Sequence, residues 1–174
     1  MRCALIYRMP LAQLIVKIGP VTLTRKEAYY QKHQELWPSA KPKEITVSAL
    51  IDTGASVTII DKSIVDQLEL QAHGFCPISG FDSRTENGDG PKKYPNYEVG
   101  LSILDTDEGN PLLTIRTGQA VGHSLSNTRF DAIIGMDVLH HCHFSVRGPD
   151  DSYELTAPIA FVDEICSVTP PTPT

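Results

Sequence analysis

The sequence predicts an all-β fold, and two observations point to it. The 174 residues include 13 Pro and 12 Gly, which suits short strands joined by turns better than a helical bundle. Apolar residues also alternate along several segments, first at Leu14, Val16 and Ile18, with Gln13 and Lys17 on the opposite face. Alternation with a period of two is the pattern of a strand that is buried on one face.

Composition narrows the class of protein. Hydrophobic residues make up 41% of the chain and charged residues 21%, which fits one compact domain with an ordinary core. The net charge is −6 and no basic cluster occurs, so we expect no nucleic-acid partner. No run approaches the ~18 apolar residues of a membrane span, and the N-terminus has no signal-peptide core. The four cysteines form no Cys-x-x-Cys pair. We therefore expect a cytoplasmic protein without a membrane partner.

Two polar stretches interrupt the predicted domain, which we place at residues 1–156. Residues 24–44 form an insertion in which Thr24 can cap a short helix that ends before Pro38. Residues 79–95 are rich in Gly, Asp and Lys and predict a long exposed hairpin or loop. Residues 157–174 form a C-terminal segment whose Pro-rich end predicts a disordered tail.

The remaining elements follow from periodicity and capping. Residues 45–51 alternate as a strand, and a second β-branched run covers residues 57–60. Asp61 can cap a short helix with Ile64, Val65 and Leu68 on one face. Further predicted elements are strands at 97–104, 112–121 and 130–134, helical turns at 136–142, and a terminal hairpin of residues 143–147 with residues 152–156.

Asp52 is the strongest candidate for a functional residue. It ends an apolar strand and enters a turn in which Gly54 permits close approach of the backbone. A carboxylate at such a place must be satisfied by hydrogen bonds, and the nearest donors are the backbone N–H groups of the turn. The spacing predicts an acid held in one orientation. The alternative interpretation is an ordinary strand–turn–strand in which Asp and Gly only form the turn.

A run of possible metal ligands, His140-His141-Cys142-His143, has a simpler explanation. Within one helix only His140 and His143 or neighbouring pairs share a face, and the sequence has no second pair with ligand spacing. We therefore favour the polar end of a helix and predict no metal site.

Two segments together resemble the retropepsin-like (retroviral-type) aspartic proteases. The first is similar to the catalytic loop of that family and reads Asp52-Thr53-Gly54-Ala55-Ser56. The second lies about 80 residues later and is similar to the apolar-apolar-Gly segment that packs beneath the loop and precedes a short helix; it reads Ile133-Ile134-Gly135. The order of the predicted elements agrees with the family, and the resemblance covers roughly residues 11–156.

The resemblance implies a closed barrel with one short C-terminal helix, acting as a homodimer. The reaction of this family needs two carboxylates, but the chain has a single Asp-Thr-Gly, so Asp52 would face its symmetry mate across a two-fold axis. The two Asp52 carboxyl groups would share one proton and activate a water molecule, as the paired carboxyl groups of aspartic proteases do. The implied activity is aspartic endopeptidase, with a peptide or protein substrate and no cofactor. The alternative is a catalytically silent, dimeric peptide-binding or scaffold module.

The resemblance also implies roles for neighbours of Asp52. The Thr53 hydroxyl would cross the dimer axis, and the Gly54 carbonyl would contact the substrate. Ala55 stands where pepsin-type enzymes carry a hydroxyl that stabilises the ionised carboxylate, which implies activity at mildly acidic rather than very low pH. In the 79–95 segment, Gly80 and Phe81 are candidates for a flap that closes over the substrate.

Overall fold

The computed structural model describes residues 4–8, 13–20, 44–78, 91–104, 109, 111–147, 152–157 and 161–164. Within these ranges the chain is built almost entirely of strands, as predicted. The strands are β1 (Ala4–Arg8), β2 (Gln13–Pro20), β3 (Ile45–Ile51), β4 (Ile59–Asp61), β5 (Ala72–Ile78), β6 (Lys92–Leu104), β7 (Pro111–His123), β8 (Ala132–Ile134), β9 (His143–Arg147), β10 (Ser152–Thr156) and β11 (Phe161–Glu164). The helices are α1 (Lys62–Gln67) and α2 (Met136–Leu139).

Six strands close into a barrel in the order β7-β4-β8-β3-β2-β6, because β6 pairs back onto β7. β5 extends the sheet beyond β6, and β11 runs parallel to β7. At one side of the barrel β8 lies between β3, to which it is parallel, and β4, to which it is antiparallel. The all-β class that the sequence predicts and the closed barrel that the resemblance implies are confirmed.

The alternating residues point into the barrel as the sequence predicts. Leu14, Val16 and Ile18 are fully buried, whereas Ile15 and Lys17 of the same strand are half-exposed. The inward faces of β3, β6 and β7 supply a large part of the remaining core, including Val47, Ala49, Ile51, Val99, Leu101, Ile103, Leu113 and Ile115. Burial of these apolar side chains is the main force that holds the strands in register.

Both helices lie where local signals place them. The Asp61 side chain accepts a hydrogen bond from the Ser63 N–H, so it caps α1, and Ile64, Val65 and Leu68 are buried as predicted. α2 starts at the predicted residue but ends at Leu139, before the predicted end at residue 142. The barrel therefore carries α1 in addition to the one C-terminal helix that the resemblance implies.

A separate three-stranded sheet has the order β1-β10-β9. β9 and β10 form the predicted terminal hairpin, with Phe144 opposite Leu155 and Val146 opposite Tyr153. The N-terminal strand β1 pairs antiparallel with β10, from Ala4 opposite Thr156 to Arg8 opposite Ser152. The sheet thus joins the beginning of the chain to residues near position 156.

Three strands have no counterpart in the elements predicted from the sequence: β1, β5 and β11. The 79–95 stretch is predicted as a long exposed hairpin or loop. β6 pairs with β5 up to Lys92 opposite Ile78, so residues 92–95 of that stretch are strand. β11 lies in the predicted 157–174 segment. Residues 24–43 of the predicted insertion, the loop at 79–90 with Gly80 and Phe81, and the Pro-rich tail lie outside the described residues.

Neither described helix is long and apolar enough to span a membrane.

Candidate active site

Asp52 directly follows the last residue of β3, on a turn that presents it at the surface of the barrel. Its backbone N–H donates to the Ile134 carbonyl at 3.1 Å, which continues the pairing of β3 with β8 by one residue. Its side chain is half-buried, while Thr53 and Gly54 beyond it are exposed. The strand therefore fixes the position of the Asp52 backbone and leaves the carboxylate accessible.

The Asp52 carboxylate is oriented by its own turn. Oδ1 accepts the Gly54 N–H at 2.8 Å, as predicted from the need to satisfy this acid. A second bond, from the Ala55 N–H to the Asp52 carbonyl at 3.2 Å, closes the turn. A Cβ added at Gly54 would lie 3.2 Å from Asp52 Oδ1, which is tighter than ordinary packing. Glycine at this position therefore lets the backbone donor approach the acid without a steric conflict.

The segment 133–135 lies beneath this turn. Ile133 pairs with Leu50 of β3 and Ile59 of β4, and Ile134 is fully buried. At Gly135 a Cβ would lie 2.6 Å from the Val57 carbonyl carbon and oxygen and 3.0 Å from the Ala55 carbonyl oxygen. Any larger residue at position 135 would have to displace the loop.

The loop of residues 52–58, which we call the acid loop, is also bonded to the start of α2. The Met136 N–H donates to the Ala55 carbonyl at 2.8 Å. Thr58, at the end of the acid loop, is fully buried, and its carbonyl accepts the Val121 N–H at 2.9 Å. Both ends and the middle of the acid loop are thus bonded to other parts of the barrel. Ser56 is exposed on the loop.

Sequence reasoning missed two polar residues at this site, Thr58 and Asp137. The Thr58 hydroxyl donates to Asp137 Oδ1 at 2.8 Å and accepts the Gly135 N–H at 3.3 Å. Asp137 could have been noticed as an acid flanked by apolar residues in a helical segment, but Thr58 gives no local signal. The two residues are 79 positions apart, and only the closure of the barrel brings them together.

The two acids around the site experience different environments. Burial is the largest influence on Asp137 and raises the pKa of its carboxyl, and the hydrogen bonds from Thr58 and Val138 offset this only in part. For Asp61 burial also acts to raise the pKa, but hydrogen bonds from Ser63, Leu125 and Lys62 outweigh it and hold the pKa below its ordinary value. Asp61 Oδ2 accepts the Leu125 N–H at 2.6 Å, which fixes the loop after β7.

The histidine run at the end of α2 is close-packed. His140 and His141 have ring centroids 3.8 Å apart, and His140 Nδ1 lies 2.6 Å from the Met136 carbonyl oxygen. Among the residues that the structure describes, no three His, Cys, Asp or Glu side chains are grouped so that they could hold a metal ion.

Comparison with known proteins finds a likeness among solved structures. No protein-family model matches the chain, and neither does any curated protein. Among solved structures, the chain is similar to a retropepsin-like aspartic protease from Rickettsia conorii, with 12% identity and a TM-score of 0.42. The match covers 90% of this chain and 93% of that one. The two chains share too few identities for residue roles to be transferred between them.

Proposed function

We propose that the chain is an aspartic endopeptidase that works as a homodimer. The observation that carries the proposal is an accessible carboxylate, Asp52, held by the Gly54 N–H on a loop that is bonded to the barrel at several points. An acid used only to form a turn would not need a buried glycine, Gly135, tightly packed against the far side of the loop. These contacts favour the interpretation that the loop holds the Asp52 carboxylate in one orientation. General acid–base catalysis requires such a fixed orientation.

The second carboxylate comes from an identical chain. The sequence contains a single Asp-Thr-Gly, so a two-fold axis must bring Asp52 and the partner's Asp52 together. Two carboxyl groups at close range share one proton, because both cannot ionise at that distance. One member of the pair is then a base and the other an acid, although the two residues are chemically identical.

The proposed reaction uses a water between the two acids. The ionised carboxylate takes a proton from the water, whose oxygen attacks the scissile carbonyl carbon, while the protonated carboxyl gives its proton to the carbonyl oxygen. The carboxyl that took the water proton then gives it to the amine nitrogen as the C–N bond breaks, while the other carboxylate takes a proton from a hydroxyl of the tetrahedral intermediate. This leaves a carboxylic acid and an amine and returns the pair to its starting state. An extended peptide fits this scheme because strand-like backbone bonds can fix it across the axis. The acid and the base in the scheme are both Asp52 carboxyl groups, one from each copy of the chain.

The direct test is cleavage of a peptide library by the wild type and by Asp52→Asn. Asn keeps the size and an acceptor oxygen but cannot act as an acid or base, so turnover should fall by at least about 10³-fold. Asp66→Asn, an exposed acid on α1, is the matched control and should leave turnover unchanged. Equal turnover by wild type and Asp52→Asn would remove the proposed mechanism. Peptide binding without turnover by either protein would favour the scaffold alternative.

A further inference from the structure

Thr58 connects the acid loop to α2 through its side chain. It is fully buried, and its hydroxyl both accepts the Gly135 N–H at 3.3 Å and donates to Asp137 Oδ1 at 2.8 Å. A hydroxyl has one proton to donate, so donation to Asp137 leaves its lone pairs free for Gly135. Asp137 therefore fixes the direction in which the Thr58 hydroxyl points.

Asp137 is an unusual choice for this position on stability grounds. Oδ1 accepts from Thr58 and also from the Val138 N–H at 3.1 Å, but Oδ2 is buried and has no hydrogen-bond partner among the described residues. Burial of such an oxygen is unfavourable, and an apolar residue of similar volume would avoid it. The polar group must therefore be explained by what Oδ1 does for its neighbours.

Four consecutive residues, 134 to 137, together hold the acid loop. The Ile134 carbonyl accepts the Asp52 N–H, the Gly135 N–H bonds to the Thr58 hydroxyl, and the Met136 N–H donates to the Ala55 carbonyl. Asp137 supplies the fourth contact. Without Asp137, the Thr58 hydroxyl at the end of the acid loop would have no side-chain acceptor among the described residues.

We propose that Asp137, acting through Thr58, is a positioning residue that holds the acid loop in the orientation required for the reaction of Asp52. The inference rests on the proposed peptidase function and adds a residue to it. Asp137 does not contact the reacting atoms in this scheme. It limits the movement of the acid loop and so of the Asp52 carboxylate. A displacement of about 1 Å at a catalytic group can lower a rate by about 100-fold, so loss of this contact should act on turnover more than on binding.

Two matched pairs of variants test the proposal. Thr58→Val keeps the shape but removes the hydroxyl, and Asp137→Leu keeps the branching at Cγ but replaces both carboxylate oxygens with larger methyl groups. Each should lower kcat by about 10- to 100-fold with little change in KM. Thr58→Ser and Asp137→Asn retain the hydroxyl and the acceptor oxygen, respectively, and should recover most of the lost kcat. The double variant Thr58→Val/Asp137→Leu should be no worse than the poorer single variant, because Thr58→Val already removes the contact with Asp137.

Amide hydrogen exchange gives a second measurement that does not depend on activity. In Thr58→Val and Asp137→Leu the amides of Asp52, Gly135 and Met136 should exchange faster than in wild type, while amides in β2 should not. If Asp137→Leu does not fold, the kinetic and the hydrogen-exchange measurements are both made on Thr58→Val. An active wild type together with unchanged kcat in Thr58→Val would overturn the positioning role and leave the proposed function intact. An inactive wild type would overturn the proposed function, and the exchange rates would then decide whether Asp137 holds the loop.

Discussion

Gly135 shows how one residue controls the site. It lies against the Val57 and Ala55 carbonyl groups, where a Cβ would approach to 2.6 Å and 3.0 Å, respectively. These neighbours are backbone atoms, which cannot rotate away as the end of a side chain can. The acid loop and Gly135 can therefore pack only if position 135 has no side chain.

Substitution of this glycine should disturb both stability and turnover. Gly135→Ala should lower the free energy of unfolding by about 1–3 kcal/mol, because the added carbon must push the loop aside. Urea denaturation of the variant and of the control Gly100→Ala measures this. At Gly100 a Cβ would lie 3.7 Å from the Gly19 carbonyl oxygen, an ordinary contact, so the control should be nearly neutral. Equal stability of Gly135→Ala and wild type would contradict the packing described here.

Asp137 should make stability depend on pH. Because burial raises its pKa in the folded state, folding favours its protonated form, and the corresponding stability is lost as pH rises from the ordinary carboxyl range through the raised pKa. Asn at this position does not titrate. The free energy of unfolding of wild type minus that of Asp137→Asn should therefore fall with rising pH over this range and then level off.

Urea unfolding at a series of pH values from about 3 to 8 would show this difference. Asp66→Asn, at an exposed position, serves as the control. A difference between wild type and Asp137→Asn that stayed constant, or that rose with pH, would mean that burial does not dominate the environment of Asp137.

At the scale of the element, α1 depends on a single capping residue. The Asp61 side chain accepts the Ser63 N–H at 2.8 Å and the Leu125 N–H at 2.6 Å, so one carboxylate begins the helix and also fixes the loop after β7. α1 is only six residues long, too short to be stable without such contacts.

Removal of this cap should be costly for so short a helix. Asp61→Ala should lower the free energy of unfolding by about 2 kcal/mol, because it leaves two backbone donors without their acceptor. Asp61→Asn keeps an acceptor and should lose less. Chemical denaturation compares these variants with Asp66→Ala, which is exposed on the same helix and should change stability by less than about 0.5 kcal/mol. An equal loss in the Ala variants at positions 61 and 66 would argue against capping.

The stability that Asp61 contributes through α1 depends on pH in the opposite direction to the stability that Asp137 contributes. Hydrogen bonds outweigh burial and hold the folded-state pKa below the unfolded value. The stability that Asp61 contributes is therefore present above the unfolded pKa and is lost as pH falls through the lowered folded pKa. The stability advantage of wild type over Asp61→Ala should shrink in acid for this reason.

At the scale of the whole molecule, the closed barrel presents one Asp52 per chain. The pairing of β6 with β7 completes the barrel within a single chain, so every strand of the barrel comes from the same copy. The proposed reaction requires a second copy. Folding and activity should therefore respond differently to protein concentration.

Mixing experiments can reveal such dependence on a partner. When wild type and Asp52→Asn exchange subunits in equal amounts, about one quarter of the dimers contain two Asp52 residues, so activity per wild-type chain should fall to about one half. An equal mass of inert protein is the control. Specific activity of wild type should also fall on dilution below the dimer dissociation constant. Activity that is indifferent to both treatments would point to a complete site in one chain.

The sequence alone determined the features that depend on neighbours along the chain. Alternation identified β2 and β3 and the faces they bury, capping identified α1, and the apolar strand before Asp52 located the acid. These signals are local because side-chain direction and hydrogen-bond supply are set within a few residues.

Only the tertiary structure decided which distant residues meet. No residue of β5 is buried and Phe75 is exposed, so β5 lacks the apolar pattern of a core strand and exists because β6 pairs with it. Thr58 and Asp137 likewise carry no shared signal, since their contact spans 79 positions. Such contacts are created when burial of the barrel core brings β3, β4 and β8 together, and that packing is a property of all the strands at once.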